Sequence, residues 1–214
     1  MFSEEIAQRR NTRINRQVRR AGFPFLRTVD DFDFSLQSSV RKALLGSYLG
    51  PELVSEGRNL ILFGKTGRGK THLAISIAYK AIQNGFSARF ATAAELISDL
   101  SDAARVGGFR EVLATYTAPQ ILVVDEVGYL AYSDDAANVL FHVVNDRHLA
   151  AKPMLFTTNK SPFTGWGDVL HDHDLAEAIV DRILERGRLL VLDGPSWRIR
   201  HVEALDPSSR PRNP

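Results

Sequence analysis

Lys70 and Thr71 close the run Gly64-Lys65-Thr66-Gly67-Arg68-Gly69-Lys70-Thr71, which fits the pattern G-x-x-x-x-G-K-[ST]. Residue types in that order suit one chemistry. Glycines let the backbone wrap until several N–H groups point inward, and a helix starting at the lysine adds its partial positive charge. Lys70 then reaches the β- and γ-phosphates of a nucleotide, and the Thr71 hydroxyl ligates Mg²⁺. The candidate nucleotide contacts run from Gly64 to His72.

A second constellation lies downstream. Ile121-Leu122-Val123-Val124 is an apolar run that ends in Asp125-Glu126. Strands buried on both faces read this way, and ligands of parallel sheets bind at the strands' carboxyl ends. The spacing predicts Asp125 beside Thr71 at the metal, and Glu126 as the base that polarises a water for attack on the γ-phosphate. Met154 to Asn159 forms a third such run, ending in an amide. Alone, Asn159 is an ordinary turn residue. Third in this order, it is placed to hold the attacking water or touch the γ-phosphate.

These groups need elements to carry them. The apolar patterning predicts strands at Leu60–Phe63, Ala88–Ala91, Ile121–Val124, Met154–Asn159 and Leu189–Leu192. It predicts helices over Lys70–Asn84, Ala93–Ala104, Phe109–Tyr116 and Asp174–Leu184. One more helix follows Glu126, with Ser133 as its N-cap and Asp134 and Asp135 in its first turn. Strands alternating with helices mean an α/β domain, for which 214 residues suffice.

Composition narrows the chemistry further. The chain is 44% hydrophobic and 24% charged, as ordinary globular proteins are. It has no cysteine, which excludes disulfides, thiolate catalysis and a structural zinc–cysteine cluster, and suits a reducing cytoplasm. No apolar run approaches the length of a membrane span, and the N-terminus lacks a signal-peptide pattern. The net charge of +2 is unevenly spread. Arg9, Arg10, Arg13, Arg16, Arg19, Arg20 and Arg27 have no acidic residue between them. Arg9, Arg13, Arg16 and Arg20 share one face at helical spacing, and two readings fit: a solvated helix or a contact with a phosphate backbone. The Ser/Pro/Arg-rich end is expected to be disordered.

Beyond spacing, the chain resembles the IstB-like helper ATPases of insertion-sequence transposition, relatives of the DnaC-type helicase loaders within the AAA+ ATPases. The stretches that carry the resemblance are FPFLRTVDDFDFS, the phosphate loop with its helix, DEVGYL, TTNKSPFTGWG, VDRIL and GPSWRIR. They span the chain from about Arg9 to Arg200. The resemblance implies an ASCE-type AAA+ P-loop domain with a parallel five-stranded sheet flanked by helices. The expected organisation is a basic arm over residues 1–28, an ATPase domain over 29–205 and a tail over 206–214. It implies that ATP and Mg²⁺ are bound, that Asn159 is the sensor-1 residue and that Arg182 is a finger acting on a neighbouring subunit's ATP. Arg198 falls at the sensor-2 position. It further implies ATP-dependent self-assembly on duplex DNA in the cytoplasm and delivery of that DNA to a transposase. By likeness to related initiators, Arg105 and Arg110 face the DNA with the basic arm.

This chain departs from the family pattern in places. Lys65 and Thr66 stand where prolines are common, and Arg68 adds a cation beside the phosphates. The resemblance also implies a helical segment upstream of this chain's first residue, so a truncated or alternatively started chain is expected. A replicative helicase is the alternative partner. A small-molecule kinase is disfavoured because Glu126 beside Asp125 suits water activation, and a non-hydrolysing nucleotide-gated DNA-binding module is disfavoured by the intact set Lys70, Asp125 and Glu126.

Overall fold

A computed structural model of the chain describes residues 2–37, 39–40, 42–130 and 132–196. The chain opens with a long helix, α1 (Phe2–Ala21), which sets Ile14, Val18 and Ala21 at helical spacing against the body. Single turns follow, including α2 (Gly46–Leu49) and α3 (Glu52–Ser55). Then comes β1 (Asn59–Phe63), α4 (Lys70–Gln83), β2 (Ala88–Thr92), α5 (Ala93–Val106) and α6 (Phe109–Thr117). The second half runs β3 (Ile121–Val127), α7 (Ala136–Leu149), β4 (Met154–Thr158), α8 (Trp166–Leu170), α9 (His173–Glu185) and β5 (Gly187–Val191).

The strands pair in parallel in the order β2-β3-β4-β1-β5. Alternation along each strand feeds two cores. Ile121, Val123, Leu60, Leu62 and Leu155 face α4, where Leu73, Ile75, Ile77 and Ala78 are buried. Leu122, Val124, Ile61 and Phe156 face the opposite side, against Leu96, Leu100, Leu140, Val143, Trp166 and Ile179 from α5, α7, α8 and α9. Helices on both faces explain why these strands read as unbroken apolar runs.

Polar residues keep the starting ends of the strands level. The fully buried Arg147 donates to the carbonyls of Tyr116, Pro119, Gln120 and Pro153, tying the approach to β3 to the approach to β4. Asn59 donates to the Ile183 carbonyl and accepts from the Met154 backbone N–H, linking α9, β1 and β4. A capping box, in which Thr92 and Glu95 satisfy each other's backbone N–H groups, starts α5 directly at the end of β2.

The expected elements all form, with ends shifted by one to three residues. One expectation needs correction. Ser133 does not cap α7: the helix starts at Ala136 after Asp135, and neither acid lies in its first turn. The chain instead makes a separate turn in which Ala136 N–H donates to the Ser133 carbonyl, while the Ser133 hydroxyl meets Ser101 of α5 at 3.4 Å.

Candidate nucleotide site

The strand order places β4 between β3 and β1, so Gly64, Asp125 and Asn159 emerge side by side at one edge of the sheet. Gly64 N–H donates to the Thr158 carbonyl, one residue before Asn159. The loop from Gly64 to Gly69 then folds back over this edge. Gly67 and Gly69 sit at φ +80 and +85, a conformation that side chains rarely adopt. A side chain at Gly69 would also meet the Phe32 ring at 2.6 Å. The Lys70 ammonium is nearly buried and donates to the Lys65 carbonyl at 3.0 Å, bracing the loop around its own cation.

Thr71 and Asp125 meet as their spacing predicts. The Thr71 hydroxyl lies 2.9 and 3.2 Å from the two carboxylate oxygens, and Thr157 donates to the same carboxylate. Burial pushes the Asp125 carboxyl up, against the pull of these hydrogen bonds and the Lys70 charge. No cluster of three or more His, Asp or Glu ligands exists among the described residues. One hydroxyl and one carboxylate, both hard oxygen donors, suit Mg²⁺ completed by phosphate oxygens and water rather than a protein cage.

Glu126 is exposed although it lies inside β3. The β3–β4 register slips between Val124 and Val127, and Glu126 takes φ +62, a rare backbone state for a side-chain-bearing residue. This bulge turns the carboxylate out of the sheet while its N–H donates to the Thr157 hydroxyl. Bulges beside functional sites re-aim side chains in this way. Asn159 follows β4 as expected, and its Oδ1 is buried with no hydrogen-bond partner. A buried unsatisfied acceptor calls for a water, an ion or a ligand.

The loop and Glu126 line a cavity of about 360 Å³. Its other wall was not foreseen as a site. Phe25, Arg27, Asp31, Phe32, Leu36 and Gln37 arch over the loop. His72 anchors that arch rather than facing only the phosphates: its Nε2 is 3.0 Å from the Thr28 carbonyl, and its ring meets Phe32 edge-on. No spacing rule links residues 25–37 to a loop thirty residues later. Tyr129 was missed too, although it stands three residues after Glu126 and lines the same cavity. Arg68 also lines it and donates to the Asp193 carbonyl after β5.

The remaining candidates are elsewhere. Arg182 stacks on Phe141 of α7 at 4.7 Å and donates to Asn145 and to the Ala178 carbonyl; it does not line the chain's own phosphate cavity. Arg198 lies outside the described residues. In the basic arm, Arg9 pairs with Glu5 at 2.6 Å, and Arg13 donates to the Gly85 carbonyl just beyond α4, as Arg10 does to Gln83. The arm is therefore less uncompensated than its sequence implies. Arg16 and Arg20 are exposed, as are Arg110 and Arg105, the last beside Asp102 at 3.3 Å.

Known proteins resemble this chain in sequence and in fold. The family model described as "IstB-like ATP binding protein" matches residues 1–204. A putative ATP-binding protein of insertion sequence IS5376 from Geobacillus stearothermophilus is 34% identical over 200 residues, covering 94% of this chain and 79% of the relative. The crystal structure of the DnaC helicase loader superposes with a TM-score of 0.60 at 28% identity, covering 72% of this chain and 90% of that one. AMPPCP-bound DnaA from Aquifex aeolicus gives a TM-score of 0.65 at 19% identity, over 86% of this chain and 55% of that one, a likeness of fold alone. The sheet and its flanking helices are those of the AAA+ P-loop proteins.

Proposed function

The chain belongs to the IstB-like ATP-binding protein family, and from that premise we propose that it is an ATPase that assembles on duplex DNA and assists a transposase. The observation that carries the catalytic part is the meeting of Lys70, the Thr71–Asp125 pair, the out-turned Glu126 and the unsatisfied Asn159 at three adjacent strand ends. Lys70 and the loop's backbone N–H groups hold the β- and γ-phosphates. Thr71 and Asp125 would hold Mg²⁺, which would neutralise charge on those phosphates. Glu126 takes the proton of a water oriented with help from Asn159. The water oxygen bonds to the γ-phosphorus, the bond to the β–γ bridging oxygen breaks, and ADP and inorganic phosphate leave. Phe32 and Leu36 offer the apolar wall for the base.

Arg182 lines no part of its own chain's cavity, which supports a finger supplied to a neighbour, with Arg198 as a further phosphate contact. Insertion-sequence relatives favour a transposase as partner. The DnaC likeness keeps a replicative helicase as the second reading. Duplex DNA would meet Arg9, Arg13, Arg16 and Arg20 with Arg105 and Arg110 through its phosphates, without base readout.

The test separates binding from turnover. Lys70→Ala should weaken ATP binding because a direct phosphate cation is lost. Glu126→Gln should keep ATP affinity, lose hydrolysis by about a hundredfold or more, and accumulate as ATP-bound oligomers on DNA. Equal loss of ATP affinity in both variants would contradict the role given to Glu126.

A further inference from the structure

Tyr129 stands over the phosphate loop. Its hydroxyl shares a 3.0 Å hydrogen bond with the hydroxyl of Thr66, and the Lys70 ammonium lies 5.9 Å from its ring centroid. Both Thr66 and Tyr129 line the cavity that also holds Lys70 and Glu126. Tyr129 belongs to the same tight turn as Glu126. Its N–H donates to the Glu126 carbonyl at 3.3 Å. The turn does not depend on its hydroxyl, however: Tyr132 accepts from Gly128 N–H at 2.9 Å and donates to the Glu126 carbonyl at 3.3 Å. The Tyr129 hydroxyl is thus held by one exchangeable partner, at the mouth of the loop, on a turn braced by other groups.

We propose that Tyr129 recognises the third phosphate, exchanging its bond to Thr66 for one to a γ-phosphate oxygen and so distinguishing ATP from ADP. This rests on the reading of the cavity as an ATP site. Lys70, which would draw the phosphate, and the phenol line one cavity, and a hydroxyl donating to a charged oxygen makes a stronger bond than one shared with another hydroxyl. Thr66 serves as the resting partner.

The experiment measures dissociation constants of a non-hydrolysable ATP analogue and of ADP, both with Mg²⁺, for the wild type, Tyr129→Phe and Thr66→Ala. Tyr129→Phe keeps the ring and should weaken the analogue about tenfold while moving ADP by less than about twofold. Thr66→Ala removes the competing partner and should raise the preference for the analogue about threefold. Thermal melts of both variants check folding, and the opposite signs expected of the two substitutions cannot arise from a shared loss of stability. A Tyr129→Phe variant that weakens both nucleotides equally, or neither, overturns the proposal. So does a Thr66→Ala variant that loses analogue preference in parallel, which would mark the pair as a loop brace. Wild-type protein that binds neither nucleotide would instead defeat the ATP reading itself.

Discussion

At Asp125 the charged form is held by Thr157, Thr71 and Lys70, yet burial outweighs all three and raises the carboxyl above its ordinary value of 3.8. The native protein therefore holds this proton more tightly than the unfolded chain does. Between 3.8 and the raised value, stability from this group increases as pH falls; above that window the cost of a buried charge is fully present. Asp125→Asn removes that charge and keeps the shape. The nucleotide-free variant should melt at or above the wild-type temperature at pH 7 to 8, and the difference should shrink on acidification through the window. The added stabilisation that Mg²⁺ gives with ATP should be lost in the variant. A variant melting well below the wild type at neutral pH would show that Asp125 stabilises the fold rather than waiting for a metal.

Buried elements announced themselves in the sequence because packing on both faces demands unbroken apolar runs. Ile121–Val124 and the α4 pattern were legible for that reason. Glycine spacing likewise placed the phosphate loop. What stayed hidden depends on tertiary pairing. The bulge at Glu126 exists only against the register of β4, and the arch over residues 25–37 is fixed by His72 and the loop it covers. The helix-face reading of the basic arm was correct as spacing but silent on docking: Arg10 and Arg13 reach carbonyls at the C-terminal end of α4, where cations are favourable. The arm is thereby divided. Arg10→Ala with Arg13→Ala should lower the melting temperature by about 2–4 °C. Arg16→Ala with Arg20→Ala should leave it unchanged while flattening the log–log salt slope of duplex-DNA binding by up to about two units. An unchanged slope in the second pair would return those arginines to plain solvent exposure.

On the scale of the whole molecule, one chain carries the phosphate loop, the Thr71–Asp125 pair and the out-turned Glu126, while Arg182 rests on α7 away from them. An arginine finger is worth roughly 10³ to 10⁵ in rate, so a finger taken from a neighbour makes turnover depend on assembly. On the proposed reading, DNA that gathers subunits would switch hydrolysis on, and hydrolysis would release the assembly. The direct measurement is the ATPase rate of an equal mixture of Arg182→Ala and Glu126→Gln chains on duplex DNA. Arg182→Ala subunits keep a complete cavity but offer no finger; Glu126→Gln subunits offer the finger but cannot turn over. Each variant alone should be nearly inactive. In a head-to-tail assembly the mixture should recover about a quarter of the wild-type rate, since one interface in four joins an intact cavity to an intact finger. A mixture no more active than its two components, with both shown by mass to be assembled together, would contradict the account.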